Sequence, residues 1–287
     1  MAGRRPVLFV GETGTAKTVT IHRHLSSLSQ ASVDVLDINF SSRTSSMDLQ
    51  RTLEHNVDPR TKDTLGPRSG KERLVVFIDD VNMPAVDEYG TQQPNALLKQ
   101  ILERGGFYDR GKDKTWKNLR DVQFVAAMAP PGGGRNALDP RLTSRFSVLH
   151  VTFPEEAALY KIYHSILADH LAAFQGETVH MAEAVTKATL QLYSFIEQQL
   201  SASPAKFHYV FNLRDLSGVY EGLCKANPDT TRTPTQFLRL WRNECLRVFC
   251  DRLITKTDRV LVETKARWKS ARVCVFVCVC VSDGWVG

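Results

Sequence analysis

Little in this sequence would carry a chain into or across a membrane. Its longest uncharged apolar run, VCVFVCVCV over Val273 to Val281, is nine residues long. A bilayer-spanning helix needs about 20. The N-terminal MAGRRP has no apolar stretch of the kind a secretory leader carries, so no leader is expected. Cysteine is sparse, six in 287 residues, with no paired metal-ligand spacing. That removes a disulfide framework and a zinc module from the expected classes, and a reducing, intracellular compartment is the default. Charge of one sign is not concentrated either. The formal net charge of +6 comes from basic residues scattered along the chain. Neither nucleic acid nor a membrane surface is therefore an expected partner. No internal repeat is evident. The 43% hydrophobic content is ordinary for a soluble chain with a core, and the length suits one large domain or two smaller ones.

What is present centres on Val7 to Thr18, VLFVGETGTAKT. Val7 to Val10 make a short buried-strand pattern. Gly11, Glu12, Thr13, Gly14, Thr15, Ala16, Lys17 and Thr18 follow the phosphate-binding P-loop template. Gly11 and Gly14 let the backbone curl until several N–H groups point at a triphosphate. Lys17 supplies a point charge for the β- and γ-phosphates, and Thr18 a hydroxyl for Mg²⁺. The helix expected from about Lys17 turns its positive end to the same anion. Ala16 stands where the template asks for glycine, at small cost if the backbone there is near-helical. A bare Gly/Thr turn is the plain alternative, and the flanking strand, helix and Lys-Thr pair argue against it.

A second strong signal is Leu74 to Ile78, LVVFI, a continuous apolar run bounded by charge and ending in Asp79-Asp80. This reads as a central parallel strand with a Walker B tip. Asp79 would help hold Mg²⁺ and Asp80 would position the attacking water. Further strands are expected at Val33 to Asn39, Val122 to Met128 and Val148 to Phe153. Helices are expected from Thr18 to Leu28, from Ser46 to about Asn56 and from Pro94 to Arg104. Asp58 to Lys71 reads as a charged loop, and Phe107 to Leu119 as a turn-rich stretch suited to a hairpin. The loop PPGGGR ends in Arg135, placed to face a ligand or a neighbour. Five strands with helices between them predict a doubly wound α/β domain with its ligand at the carboxyl ends of the strands. Past Pro154 the pattern is helical only: Glu155 to Phe174, His180 to Leu200, Arg214 to Cys224 and Thr235 to Ile254. The expected division is an α/β core over 1–154, an all-α lid over 155–258 and an atypical tail over 259–287 outside the fold. The tail's apolar run is β-prone and an aggregation hazard.

A P-loop domain followed by a small helical lid is the layout of AAA+ ATPases. More specifically, GETGTAKT, FIDDVNMP, AAMAPPGGGRN, DPRLTSRFSV and KFHYVFNLRDLS, in this order, resemble the third AAA+ module of dynein heavy chains of the axonemal type. LRLWRNECLRVFCDRL resembles the end of that module's lid. The resemblance runs from about Pro6 to Asp258. It implies a nucleotide site holding ATP or ADP with Mg²⁺, with Thr18 and Asp79 on the metal. It places Asp80 where many AAA+ proteins have a catalytic glutamate, one methylene shorter. It gives Arg214 the part of a second sensor reaching the γ-phosphate, and makes Arg141 and Arg145 arginine-finger candidates for a neighbouring module. The first sensor, often Asn, would fall near Met128 and Ala129, where no polar side chain stands. The family's motor is a six-module ring of the cytoplasm and ciliary axoneme. It engages microtubules through parts absent from this sequence, so the chain reads as a fragment. Two other readings compete with a nucleotide-driven motor module. One is a structural ring segment braced by static nucleotide; the other is a stand-alone AAA+ remodelling ATPase.

Overall fold

The computed structural model describes residues 5–29, 31–111, 114–174 and 176–282, with residue 177 and residues 270–282 as backbone only. The chain forms two compact units, Met1–Phe153 and Pro154–Gly287.

In the first unit, β1 (Val7–Val10), α1 (Lys17–Ser27), β2 (Val33–Asn39) and α2 (Ser46–His55) follow one another. Next come β3 (Asp58–Thr61), β4 (Thr64–Gly66), β5 (Arg73–Asp79) and α3 (Gln93–Arg104). The unit closes with β6 (Gly106–Tyr108), β7 (Trp116–Leu119), β8 (Val122–Met128), the short α4 (Pro140–Thr143) and β9 (Ser147–His150). The main sheet has the order β2-β5-β8-β1-β9 and is parallel throughout. From β1 the chain moves to the edge at β2, returns through β5 and β8, and finishes on the other side of β1 at β9. The order therefore reverses at β1, and at such a switch point open α/β sheets bind their ligands beyond the carboxyl ends of the strands.

The side chains of β5 show why this strand is central. Leu74, Val76 and Ile78 enter the core on one face, with Leu49, Leu53 and Leu98 of α2 and α3. Val75 and Phe77 enter the core on the other face, with Ile21 and Leu25 of α1. A strand covered on both sides must be apolar at every position, so LVVFI reads as a run instead of an alternation.

The structure departs from expectation at Asp58 to Lys71. Two short strands stand there in place of a loop, and β3-β4-β7-β6 make a second, four-stranded sheet. Here β6 and β7 form the hairpin expected in the Phe107 to Leu119 stretch, and β4 joins β7 in parallel. The polar, proline-containing DPRT gives no apolar periodicity, because β3 is almost wholly exposed.

The second unit is helical: α5 (Glu156–Leu171), α6 (Met181–Gln199), α7 (Leu213–Leu223), α8 (Pro234–Phe249) and α9 (Lys256–Ser282). Capping boxes start α7, from Asn212 and Asp215, and α8, from Thr233 and Gln236. Trp241, Phe237 and Phe249 are fully buried at the centre. The indole of Trp241 donates to Thr189 Oγ1 at 2.8 Å, so its one polar atom is satisfied. Cys245 and Cys250 are packing residues of this core. Burial pushes both thiols up, Cys250 to about 11.

The tail differs from expectation as well. Instead of a break after Asp258, α9 runs through it, and Val262 and Ala266 are wholly buried in the helical core. Asp258 accepts from Lys206 Nζ at 2.7 Å and from the Tyr209 hydroxyl at 3.0 Å, which fixes the start of this helix. The β-prone run lies within the backbone of α9, so the helix started by packed residues overrides the propensity of the residues after them. The last part of the expected tail, 283–287, lies outside the described residues, as do the first four residues of MAGRRP. Among the described residues no helix is long and apolar enough to cross a membrane.

Candidate functional site

The P-loop occupies the turn between β1 and α1. Gly11 must be glycine: a Cβ there would lie 2.4 Å from the carbonyl oxygen of Val151. Its N–H donates to Met128 O at 3.2 Å, tying the start of the loop to the end of β8. Gly14 adopts φ 87°. Thr15 is buried and turns inward, its hydroxyl donating to Glu12 O at 2.9 Å. It braces the loop from within, whereas Glu12 and Thr13 are exposed at its tip. Lys17 Nζ donates to Gly11 O at 2.8 Å and to Glu12 O at 2.7 Å. The ammonium thus lies across the loop that it helps to shape.

Ala16 has φ 59° and ψ 21°, left-handed and outside the helical region that would make alanine harmless here. It is the N-cap of α1 and provides no side-chain cap. The missing glycine of the template therefore carries a real conformational cost, on the order of 1–2 kcal/mol for an L-residue.

The Walker B acid is brought to the P-loop directly. Thr18 Oγ1 donates to Asp79 Oδ2 at 2.7 Å, across 61 positions of sequence. The other oxygen, Asp79 Oδ1, accepts from the Asp80 N–H at 2.9 Å. A hydroxyl and a carboxylate side by side at strand ends are hard oxygen donors of the kind Mg²⁺ takes, with room left for phosphate and water. The donor set therefore fits the expected ion. Burial lowers the pKa of Lys17, while Asp79 and Asp80 pull it upward and Arg135 pushes it further down. Among the described residues, no group of three or more His, Cys, Asp or Glu side chains forms a metal cluster of its own.

Asp80 is held at φ 50°, and its carboxylate faces Arg135, with Oδ1 3.9 Å from Nε. Met128 and Ala129, where a first sensor was expected, are apolar and buried. Instead of a side chain, the Ala129 carbonyl serves a structural bond, accepting from Asn82 Nδ2 at 2.8 Å.

The arginine candidates separate. Arg145 is held within its own unit, donating from Nε and Nη2 to Glu103 Oε1 at 3.2 and 3.0 Å. Arg141 is exposed; its backbone N–H donates to Asp139 Oδ1 at 2.9 Å, and its charge helps hold the Asp139 carboxyl below the usual range. Arg214 sits in the first turn of α7 in the second unit. Its backbone N–H donates to the Asn212 cap at 2.9 Å and its side chain is exposed. Asp215, the next residue, completes the capping box and pairs with Arg252. The structure thus gathers Gly11 to Thr18, Asp79 and Asp80 at one place and adds Arg135, whose part in this site the motif template does not contain.

Comparison with known proteins agrees with this geometry. The family described as P-loop containing dynein motor region matches residues 1–154. The family described as dynein heavy chain, ATPase lid domain, matches residues 162–259. The chain is 56% identical over 260 residues to dynein axonemal heavy chain 10 of Homo sapiens, covering 91% of this chain and 6% of that one. It is also 56% identical over 266 residues to the Dynein-1-alpha heavy chain of the flagellar inner arm I1 complex of Chlamydomonas reinhardtii, covering 92% of this chain and 6% of that one. Dynein axonemal heavy chain 2 of Mus musculus is 42% identical over 258 residues. The chain thus spans about 6% of the length of these curated relatives.

Proposed function

Because the chain belongs to the family of P-loop containing dynein motor regions, with the dynein ATPase lid after it, we propose that it is a nucleotide-binding module of an axonemal-type dynein heavy chain. We assign it the third place among six ring modules. It binds ATP or ADP with Mg²⁺ and contributes to microtubule-based ciliary motion through contacts with neighbouring modules. Microtubules themselves are engaged by other parts of such a heavy chain.

The hydrogen bond between Thr18 and Asp79 carries this reading. In it the P-loop hydroxyl and the Walker B carboxylate share one locus, where both would ligate Mg²⁺. The ion, when bound, would neutralise charge on the β- and γ-phosphates. Lys17 and the loop N–H groups would hold the same phosphates, and Asp80 would orient a water. Arg214 would reach the γ-phosphate from the lid, and Arg141 would serve a neighbour's nucleotide.

Calorimetric titration of the chain with Mg-ATP and Mg-ADP tests the proposal. Both nucleotides should bind, and Lys17→Ala should weaken both. Arg214→Ala should weaken ATP more than ADP. An unchanged dissociation constant in Lys17→Ala would sink the P-loop assignment. Equal effects of Arg214→Ala on the two nucleotides would return Arg214 to the role of a solvated surface residue. A static nucleotide brace is favoured as a second reading by one observation, the apolar Met128–Ala129 where a polar sensor would stand. Single-turnover phosphate release separates the two.

A further inference from the structure

The loop between β8 and α4 is built with unusual care around a residue that the motifs leave without a task. Gly132, Gly133 and Gly134 have φ of 129°, 57° and 86° in succession. That is a backbone only glycine follows without strain. The turn closes on Arg135, with Gly132 N donating to Arg135 O at 3.0 Å and Arg135 N donating back to Gly132 O at 3.1 Å. Both shoulders are pinned to the segment after Asp80. Asn82 Nδ2 holds Ala129 O at 2.8 Å on one side. On the other side Asn136 N donates to Asn82 O at 3.1 Å, and Asn136 Nδ2 donates to Pro84 O at 2.9 Å.

This scaffold aims the guanidinium at Asp80, yet the resulting ion pair is a poor one. The separation is 3.9 Å, and the Asp80 side chain is 44% exposed. A pair of that kind contributes about 0–1 kcal/mol. Meanwhile Arg135 Nε is buried with no hydrogen-bond partner. An unsatisfied buried donor costs about 1–3 kcal/mol, more when charged. The pairing is therefore too weak to explain the orientation, and the loop must impose it. A guanidinium nitrogen buried without a partner gains by meeting an anionic oxygen.

We propose that Arg135 reads the γ-phosphate of the bound nucleotide, doing from the glycine loop what the apolar Met128–Ala129 does not, and that Asp80 is its alternative partner when a diphosphate is bound. The proposal rests on the nucleotide-site reading above and adds a residue to it. An arginine fork suits the task, since its planar donors match a phosphate edge while Asp80 takes only one side.

The test compares the full chain with Arg135→Ala, Arg135→Gln and Arg135→Lys. Each is titrated with Mg²⁺ plus either ADP or the non-hydrolysable β,γ-imido analogue of ATP. Losing a charge-assisted bond should weaken the analogue on the order of tenfold to a hundredfold. ADP affinity should stay within about twofold on the same account, because no such bond is made to ADP. Arg135→Lys should fall between, keeping charge without the fork. Asp80→Asn should tighten the analogue by freeing the guanidinium, and that gain should vanish in the Asp80→Asn, Arg135→Ala double variant. Retained ADP binding reports that each variant is folded. An unchanged ratio of analogue to ADP affinity in Arg135→Ala overturns the role. So does loss of ADP binding in both Arg135→Ala and Arg135→Gln, which would make Arg135 structural. If the unmodified chain binds neither nucleotide, the P-loop reading itself fails.

Discussion

At the scale of single residues, the site works through small conformational terms. Ala16 holds a left-handed backbone at the start of α1, at about 1–2 kcal/mol for an alanine. Glycine removes that strain but loses about 0.5–1 kcal/mol more entropy on folding. Ala16→Gly is therefore expected to stabilise the chain by roughly 0.5–1 kcal/mol, with nucleotide binding kept. A urea titration of both proteins decides it, and a lower midpoint for the glycine variant would show that the Ala16 conformation is not strained. Lys17 yields a second expectation at this scale. Its ammonium would have to be charged to hold phosphate as proposed, and burial lowers its pKa despite Asp79 and Asp80. Binding should weaken as pH rises through that lowered value, beginning at lower pH than for an ordinary lysine near about 10.4. Affinities measured over a pH series should show this step, and Lys17→Ala should lack it. The same step in both proteins would assign it to another group. Residues of the template are legible because chemistry fixes their types and spacing. The backbone of Ala16 and the pairing of Asp80 with Arg135 are not, because both depend on how three loops meet.

At the scale of elements, the strands that place the site are the easiest to read from the sequence. Val33–Asn39 and Val122–Met128 agree with expectation at both ends, since apolar runs buried in a parallel sheet have few other uses. The exposed strand β3 and the three-residue β4 leave no such trace. The most instructive difference is α9. A run of valine and cysteine favours a strand when read alone, yet the helix is committed earlier, by Val262 and Ala266 at zero exposure and by Asp258 in its first turn. Deleting 259–287 should therefore lower the stability of the helical unit, although the same deletion removes an aggregation-prone sequence. The point variant Val262→Ala should cost about 1–2 kcal/mol by opening a cavity. Thermal unfolding of the two variants checks this. A truncated chain that melts no lower than the parent would return the segment to a dispensable tail.

At the scale of the whole molecule, the site lacks what a single chain has trouble supplying. Phosphoryl transfer to water needs an oriented nucleophile, a metal and charge stabilisation of the transition state. Thr18 and Asp79 would furnish the metal donors, and Lys17 the phosphate charge. Asp80 is a short acid half-exposed beside Arg135. Arg145 is engaged by Glu103, while Arg141 stays exposed, with Asp139 as its neighbouring charge. Under the proposed function an exposed arginine of this kind would suit the nucleotide of an adjacent module, and by the same logic a nucleotide bound to this chain would await a finger from elsewhere. Such a finger is worth on the order of 10³- to 10⁵-fold in rate. The isolated chain should accordingly bind Mg-nucleotide but release phosphate far more slowly than a longer chain carrying the neighbouring modules. Asp80→Asn should reduce the residual rate without weakening nucleotide binding. Arg141→Ala should leave the isolated chain's rate unchanged and lower that of the longer one. Phosphate-release assays on both chains provide the comparison. Fast turnover by the monomeric chain alone would mean that the stabilising charge is already present in it, and the dependence on a ring neighbour would have to be abandoned.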